Sequence, residues 1–328
     1  MDRKIKVGIC GYGNLGRGVE SEICKNSDME LVAVFTRRKP AESLKIKANV
    51  PVVHVDSAIA WAKKIDVMIL CGGSANDLPE QGPVFAKIFN TVDSFDTHAN
   101  IPQYFKAVDN SAKANGNVSI VSIGWDPGMF SVMRLYMSAI LSQGNSYTFW
   151  GRGVSQGHSD AIRGIDGVLD AIQYTVPVAS AMEQIRNGKN PSLSAREKHT
   201  RVCYVVADEN ADKKRIEKEI KEMPNYFSDY DTTINFISQD ELKTNHGKLM
   251  HGGNVIHMGA TGNSNNHVME FSLKLDSNPE FTASVLLAYA RAAYKLAEKG
   301  ECGARTIFEI PPILLMHSNP EDAVKFLL

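Results

Sequence analysis

Apolar residues fall in short, dense runs through the first third of the chain and in more interrupted runs after it. Residues 4–10, 29–36, 65–71, 91–95 and 118–123 are apolar at successive positions, the pattern of strands buried on both faces. The intervening stretches 14–26, 79–89 and 101–115 read as helices. Asp56 ahead of Ser57-Ala58-Ile59-Ala60-Trp61, and Pro79, are helix-start signals. Strands so apolar, alternating with helices, predict a parallel sheet covered on both sides.

After Pro127 the rhythm changes. A helix is expected over 130–141, then strands over 147–150, 171–176, 202–207, 232–237, 254–258 and 268–275, with helices over 179–187 and 212–223. That mixture predicts an α+β domain whose open sheet carries helices on one face. The last long helix, 282–299, is rich in alanine and leucine, ends at Gly300 as its C-cap, and is expected to pack back on the first domain. There is no long linker, internal repeat or low-complexity segment.

Charge and composition narrow the function. The formal net charge is -1 with no block of Lys and Arg, which argues against nucleic acid as a partner. No apolar run reaches membrane-spanning length, and the N-terminus passes from charge directly into a strand without a signal segment. Cys10, Cys24, Cys71, Cys203 and Cys302 are scattered without a CxxC pair, as expected of reduced thiols in a cytoplasmic protein. His246, His251, His257 and His267 lack zinc-motif spacing, so no metal is expected. Gly157-His158-Ser159-Asp160 lacks the nucleophile elbow of a serine hydrolase.

The sharpest motif is Gly11-Tyr12-Gly13-Asn14-Leu15-Gly16, a GxGxxG between a predicted strand and a predicted helix. Gly11 permits the tight turn, Gly13 admits a pyrophosphate against the backbone, and Gly16 lets the helix pack closely. The pyrophosphate would rest on the unpaired amides of the helix N-terminus. An ordinary glycine turn is the alternative. The second strand ends Thr36-Arg37-Arg38-Lys39, where an NAD site would carry a carboxylate for the ribose hydroxyls. Cations there suit a 2′-phosphate, so NADP is the expected cofactor, against the alternative of a solvated basic turn. Cys71-Gly72-Gly73-Ser74 ends another strand at the same sheet edge and offers further cofactor contacts, or a helix-entry loop.

Two more segments leave strands at that edge: 92–98, with Asp96, and 124–129, with Trp125, Asp126 and Met129. Both aspartates could receive a substrate ammonium while Trp125 and Met129 exclude water. Helix capping for Asp96 and an Asp-Pro turn for Asp126 are the alternatives. A run from Phe149 through Gln156 and Gly157 to Asp160 suits a ligand loop or a domain crossover. Thr175, Arg201 and His251 could clamp a carboxylate, with Arg196 competing for the role of Arg201. Sequence distance does not say whether they meet.

Longer stretches are more specific: GYGNLGRGVE at 11–20, VFTRR at 34–38, CGGSANDLPEQGP at 71–83, DSFDTHANIP at 93–102, GWDPGMFS at 124–131, TFWGRGVSQGHSDAIR at 148–163 and HGGNVI at 251–256. Together they resemble the meso-diaminopimelate D-dehydrogenases over essentially the whole chain. The resemblance implies a Rossmann-like dinucleotide-binding domain, 1–123, completed by 278–328, and an α+β substrate-binding and dimerisation domain, 124–277. It implies NADP-dependent, reversible oxidative deamination of meso-2,6-diaminopimelate at its D-centre, in lysine biosynthesis, by a homodimer. Asp96, Trp125 and Asp126 would then surround the reacting centre, with Phe149, Gln156, Gly157 and Asp160 nearby. Thr175, Arg201, His251 and Asn278 would hold the distal L-centre. A carboxylate of ordinary acidity is a poor base toward an ammonium, so orientation is the expected role of the aspartates.

Overall fold

A computed structural model describes residues 3–39, 43–263, 265–317 and 320–328. The chain divides into two units, Met1–Val132 with Pro279–Leu328, and Met133–Asn278.

In the first unit, β1 (Ile5–Cys10), β2 (Met29–Thr36), β3 (Val52–His54), β4 (Val67–Leu70), β5 (Asn90–Asp93), β6 (Val118–Ile120) and β14 (Gly303–Arg305) form one sheet. Its order is β14-β6-β5-β4-β1-β2-β3, and every neighbouring pair is parallel. The chain winds from β1 outward in one direction, then returns to β4 and winds in the other. That reversal leaves a crevice beyond the carboxyl ends of β1 and β4. Successive side chains of a strand face opposite sides. Ile5, Val7 and Ile9 therefore meet Val19 and Ile23 of α1 (Asn14–Ile23) and Leu286, Ala290 and Ala293 of α10 (Asn278–Glu298). Cys10, Met68 and Leu70 face Leu78 and Phe85 of α2 (Leu78–Ala86) and Tyr104 and Val108 of α3 (Ile101–Asn115). At Gly18 an added Cβ would lie 2.9 Å from the Pro279 carbonyl, so α1 and α10 approach through a glycine. Arg291 of α10 is buried, with its guanidinium on both carboxylate oxygens of Asp28 and on the Leu315 carbonyl.

The short strands β3 and β14 carry too few residues to register as apolar runs, and 55–61 forms a 3-10 turn instead of an α-helix. Gly300, at φ +76, follows α10 in the left-handed conformation expected of a C-cap.

The second unit holds two sheets where the sequence suggested one. β8 (Gly153–Val154), β9 (Val168–Pro177), β10 (His199–Ala207) and β11 (Asp231–Phe236) stand in the order β11-β10-β9-β8. β7 (Gly144–Trp150), β12 (His251–Thr261) and β13 (Asn265–Leu275) stand in the order β13-β12-β7. Alternation marks a strand but not its partner, which is why the division was hidden. Ile162 of α5 (Gln156–Arg163) and Ile216 and Ile220 of α8 (Lys213–Glu222) pack on Ala171, Cys203 and Val205 of the first sheet. Ala181, Met182 and Ile185 of α6 (Ala179–Arg186) pack on Tyr147, Phe149 and Ile256 of the second. Among the described residues no helix is long and apolar enough to cross a membrane.

Candidate functional site

In the first unit a cleft of about 690 Å³ opens at the β1–β4 reversal, lined by Gly11, Tyr12, Gly13, Thr36, Arg37, Arg38, Cys71, Gly72 and Gly73 among others. Three strand ends thus bring three separate sequence motifs to one hollow. Gly11 sits at φ +94, a conformation that costs a glycine little. Gly13 precedes α1, and a Cβ added there would meet nothing within 4 Å among the described residues, so backbone and open space face each other at the helix N-terminus. Gly16 has no such room: its Cβ would lie 2.2 Å from the Gly11 carbonyl. Bare amides, a helix dipole and two arginines fit a dinucleotide with an extra phosphate. Asn14, Leu15, Gly16 and Ser74 are not among the lining residues. Burial pushes the Cys10 thiol up to about 12 and the Cys71 thiol higher still, so neither is a thiolate nucleophile.

The walls are braced. The Tyr12 hydroxyl donates to Glu20, whose other oxygen accepts the Lys47 and Ala48 amides at 2.8 and 2.7 Å. Burial first, then the neighbouring Glu20, raises the Tyr12 phenol to about 12. Asp77 accepts from Gly73 N at 2.9 Å and pairs with Arg37 at 2.8 Å, linking the diglycine turn to the basic strand end.

Asp96 is exposed, and its amide donates to Ser74 Oγ at 3.0 Å. Ser74 therefore braces the Asp96 segment. Trp125 is buried and meets Phe130 edge-on, with centroids 5.4 Å apart. Asp126 sits in a tight turn: Met129 N donates to Gly124 O at 3.0 Å and Phe130 N to Trp125 O at 2.8 Å. Gly128 is required there, since a Cβ would lie 1.9 Å from Gly124 O.

In the second unit strand register assembles the clamp. Thr175 stands opposite Arg201 across β9 and β10, and opposite Gly153 across β9 and β8. The His251 ring covers Gly153, where a Cβ would lie 2.4 Å from its Cγ. Thr175, Arg201 and His251, far apart in sequence, are thus brought together. Arg201 is buried, donates to Thr175 Oγ1, lies 3.8 Å over the Tyr230 ring and keeps a buried Nε without a hydrogen-bond partner among the described residues. His251 Nδ1 lies 2.8 Å from Gly252 N and 3.1 Å from Gly252 O, and burial lowers its pKa and favours the neutral ring. Asn278 N donates to Leu249 O at 3.0 Å, two residues before His251. Arg196 lies at the surface, 3.6 Å from Asp231, and does not join the group.

Gln156, Gly157 and Asp160 lie exposed on α5, a helix where the sequence suggested a ligand loop or a domain crossover. The helix is held down by Ile162 and by His158, which bonds Ser155 Oγ at 2.7 Å and meets Tyr226 edge-on. Phe149 is fully buried in the core behind β7; Trp150 carries the accessible ring and stacks on His199 at 5.2 Å. Of the other histidines weighed as metal ligands, His246 stacks on Tyr204, His257 bonds Ser146, and His267 bonds Thr261. Sequence reasoning missed Tyr230 and His199, whose contacts depend on pairing between distant strands.

His199 Nε2 accepts the Trp150 amide at 2.8 Å, so that nitrogen must be unprotonated. Burial first, then Arg201 and Lys198, lowers its pKa from the usual 6.5 to about 3. The stability this adds is complete above pH 6.5 and is lost as pH falls toward 3. At pH 5 the loss from this histidine is about 2 kcal/mol. Melting midpoints should fall between pH 7 and pH 5, and His199→Gln should flatten that fall. An unaltered slope in the variant would remove His199 as its source.

Residues 124–277 match the family described as the diaminopimelic acid dehydrogenase C-terminal domain. The chain is 59% identical over 325 residues to a meso-diaminopimelate D-dehydrogenase of Ureibacillus thermosphaericus, covering 99% of each. A substituted meso-diaminopimelate dehydrogenase of Clostridium tetani, solved with DAP, is 52% identical with a TM-score of 0.93, covering 99% of this chain and 100% of that one. An engineered D-amino acid dehydrogenase bound to NADP+ is 44% identical with a TM-score of 0.86, over 99% of this chain and 100% of that one.

Proposed function

The chain belongs to the meso-diaminopimelate D-dehydrogenase family, and from that membership we propose how its residues divide the work. It catalyses the NADP-dependent, reversible oxidative deamination of meso-2,6-diaminopimelate at the D-centre. The products are L-2-amino-6-oxopimelate, which cyclises to tetrahydrodipicolinate, ammonia and NADPH, in lysine biosynthesis.

The first unit is the dinucleotide-binding domain. Its cleft holds the pyrophosphate on Gly11 to Gly13 at the α1 N-terminus and the 2′-phosphate on Thr36, Arg37 and Arg38, with Cys71 to Gly73 along the other wall. Bound NADP supplies the hydride acceptor. Asp96 and Asp126 receive and orient the D-centre amine so that its α-hydrogen is presented for transfer, and Trp125 and Met129 limit water access. Loss of that hydride leaves an imine on the substrate, to which water adds before ammonia departs.

The second unit binds substrate and forms the dimer. Thr175, Arg201 and His251 hold the distal carboxylate, with Asn278, Gln156, Gly157 and Asp160 as further contacts and Phe149 supporting them from the core. The observation that carries this assignment is the in-register meeting of a hydroxyl, a buried guanidinium and an imidazole on Gly153, Thr175 and Arg201. Exposed Leu135, Tyr136 and Ile140 on α4 (Met129–Ile140), and the outer edge of β13, support dimerisation. A solution mass of one 36.0 kDa chain would refute it. The free thiols and the cofactor favour a cytoplasmic location, which recovery in a secreted fraction would contradict.

The purified protein should reduce NADP with the meso isomer at least about a hundredfold faster than with the LL isomer, which offers no D-centre. Reduction of NADP by the LL isomer at the rate of the meso isomer would defeat the assignment.

A further inference from the structure

We propose that Asp93 is a positioning residue for the reaction, a single buried carboxylate that fixes both segments bearing Asp96 and Asp126. The proposal rests on the reading that those two aspartates hold the D-centre. Asp93 ends β5 and is 0% exposed. Its Oδ1 accepts the Phe95 amide at 3.0 Å and the Ser122 amide at 3.0 Å, and its Oδ2 accepts the Tyr104 hydroxyl at 2.7 Å. Phe95 immediately precedes Asp96. Ser122, at φ +59, starts the segment that leads through Ile123 into the Trp125–Asp126 turn, and Ile123 N donates to Asp93 O at 2.8 Å.

One oxygen thus ties together the first turns of two segments that leave neighbouring strands. Tyr104 completes the arrangement: its ring stacks on Phe95, with centroids 4.1 Å apart and 16° between planes, while its hydroxyl holds the carboxylate. Burial raises the Asp93 pKa, while the Ser122 and Phe95 amides and the Tyr104 hydroxyl favour the carboxylate form. A buried charge is costly to a fold, and an apolar residue would fill the volume at less cost. What an apolar residue would lose is the common anchor, because the Phe95 and Ser122 amides would be buried without an acceptor. Asp93 does not line the cofactor cleft, so its effect should fall on substrate geometry and not on nucleotide affinity.

The test compares Asp93→Ala, Asp93→Asn and Tyr104→Phe in the full chain, reading kcat with meso-diaminopimelate, the NADPH Kd by fluorescence titration, and melting. A displacement near 1 Å at the reacting groups is expected to lower kcat about a hundredfold in Asp93→Ala, with the NADPH Kd within about threefold of the parent. Asp93→Asn keeps an Oδ1 acceptor for both amides and should recover kcat to within about tenfold of the parent. Tyr104→Phe keeps the ring stack and should lie between the parent and Asp93→Ala. A folded Asp93→Ala with kcat within about threefold of the parent overturns the proposal, as does NADPH affinity lost in step with kcat. If Asp93→Ala does not fold, Tyr104→Phe decides: reduced kcat with intact NADPH binding supports the proposal, and unchanged kcat overturns it. Asp96→Asn and Asp126→Asn are run alongside. Full activity in both would overturn the underlying reading of the site, whereas their loss beside an unaffected Asp93 series would overturn the role of Asp93 alone.

Discussion

Asp126→Asn lowers kcat for meso-diaminopimelate by about a hundredfold to a thousandfold, with NADPH affinity within about threefold of the parent. The substitution keeps the size of the side chain and leaves the turn built on Gly124 and Gly128 intact. What changes is the partner offered to the amine. A carboxylate accepts from an ammonium or amine with both oxygens, while an amide presents two N–H donors on one side and a single acceptor on the other. The substrate can still bind through its distal end, so the loss should fall mainly on kcat. Steady-state rates at saturating NADP, with fluorescence titration of NADPH, separate the two. A variant that turns over within threefold of the parent would leave Asp126 as an Asp-Pro turn residue and nothing more.

The second large effect concerns specificity. Arg201→Met should reduce kcat/KM for meso-diaminopimelate by about a thousandfold and leave, or raise, that for D-amino acids with an apolar side chain. Arg201 is buried with its Nε unsatisfied, so a substrate lacking a distal carboxylate leaves a desolvated cation without a counter-ion. Methionine keeps the aliphatic stem and removes both the charge and the stacking on Tyr230. The measurement is the ratio of kcat/KM for meso-diaminopimelate to that for D-norleucine in parent and variant. An unchanged ratio would take Arg201 out of the clamp.

The two halves of the chain differ in how far the sequence could be read. The strand, glycine turn and helix at residues 5–23 form one local unit, and the apolar runs ending at Thr36 and Cys71 locate the other strand ends around the cleft. Such features depend on neighbours in sequence. Thr175, Arg201 and His251 could be named but not assembled, because their meeting depends on β8, β9 and β10 pairing in one register and on a strand from the other sheet. For the same reason a reading of one open sheet gave way to two. Gln156 to Arg163 looked like a loop because glycine and polar residues dominate its start; Ile162 and His158 anchor it as a helix through contacts with residues more than sixty positions away, such as Tyr226. Tyr104 and Asp93 gave no signal at all, since a buried acid is recognisable only once its donors are seen.

The return of the final segment to the first core has a consequence for biosynthesis on the ribosome. Leu286, Ala290, Ala293, Ile307 and Leu314 complete the apolar layer over Ile5, Val7 and Ile9, and β14 pairs with β6. The leading 132 residues therefore emerge with one face of their sheet covered only in part, by Val19 and Ile23 of α1. The contiguous middle portion can finish its own core first, and the nucleotide-binding half completes its apolar layer only once α10 has emerged.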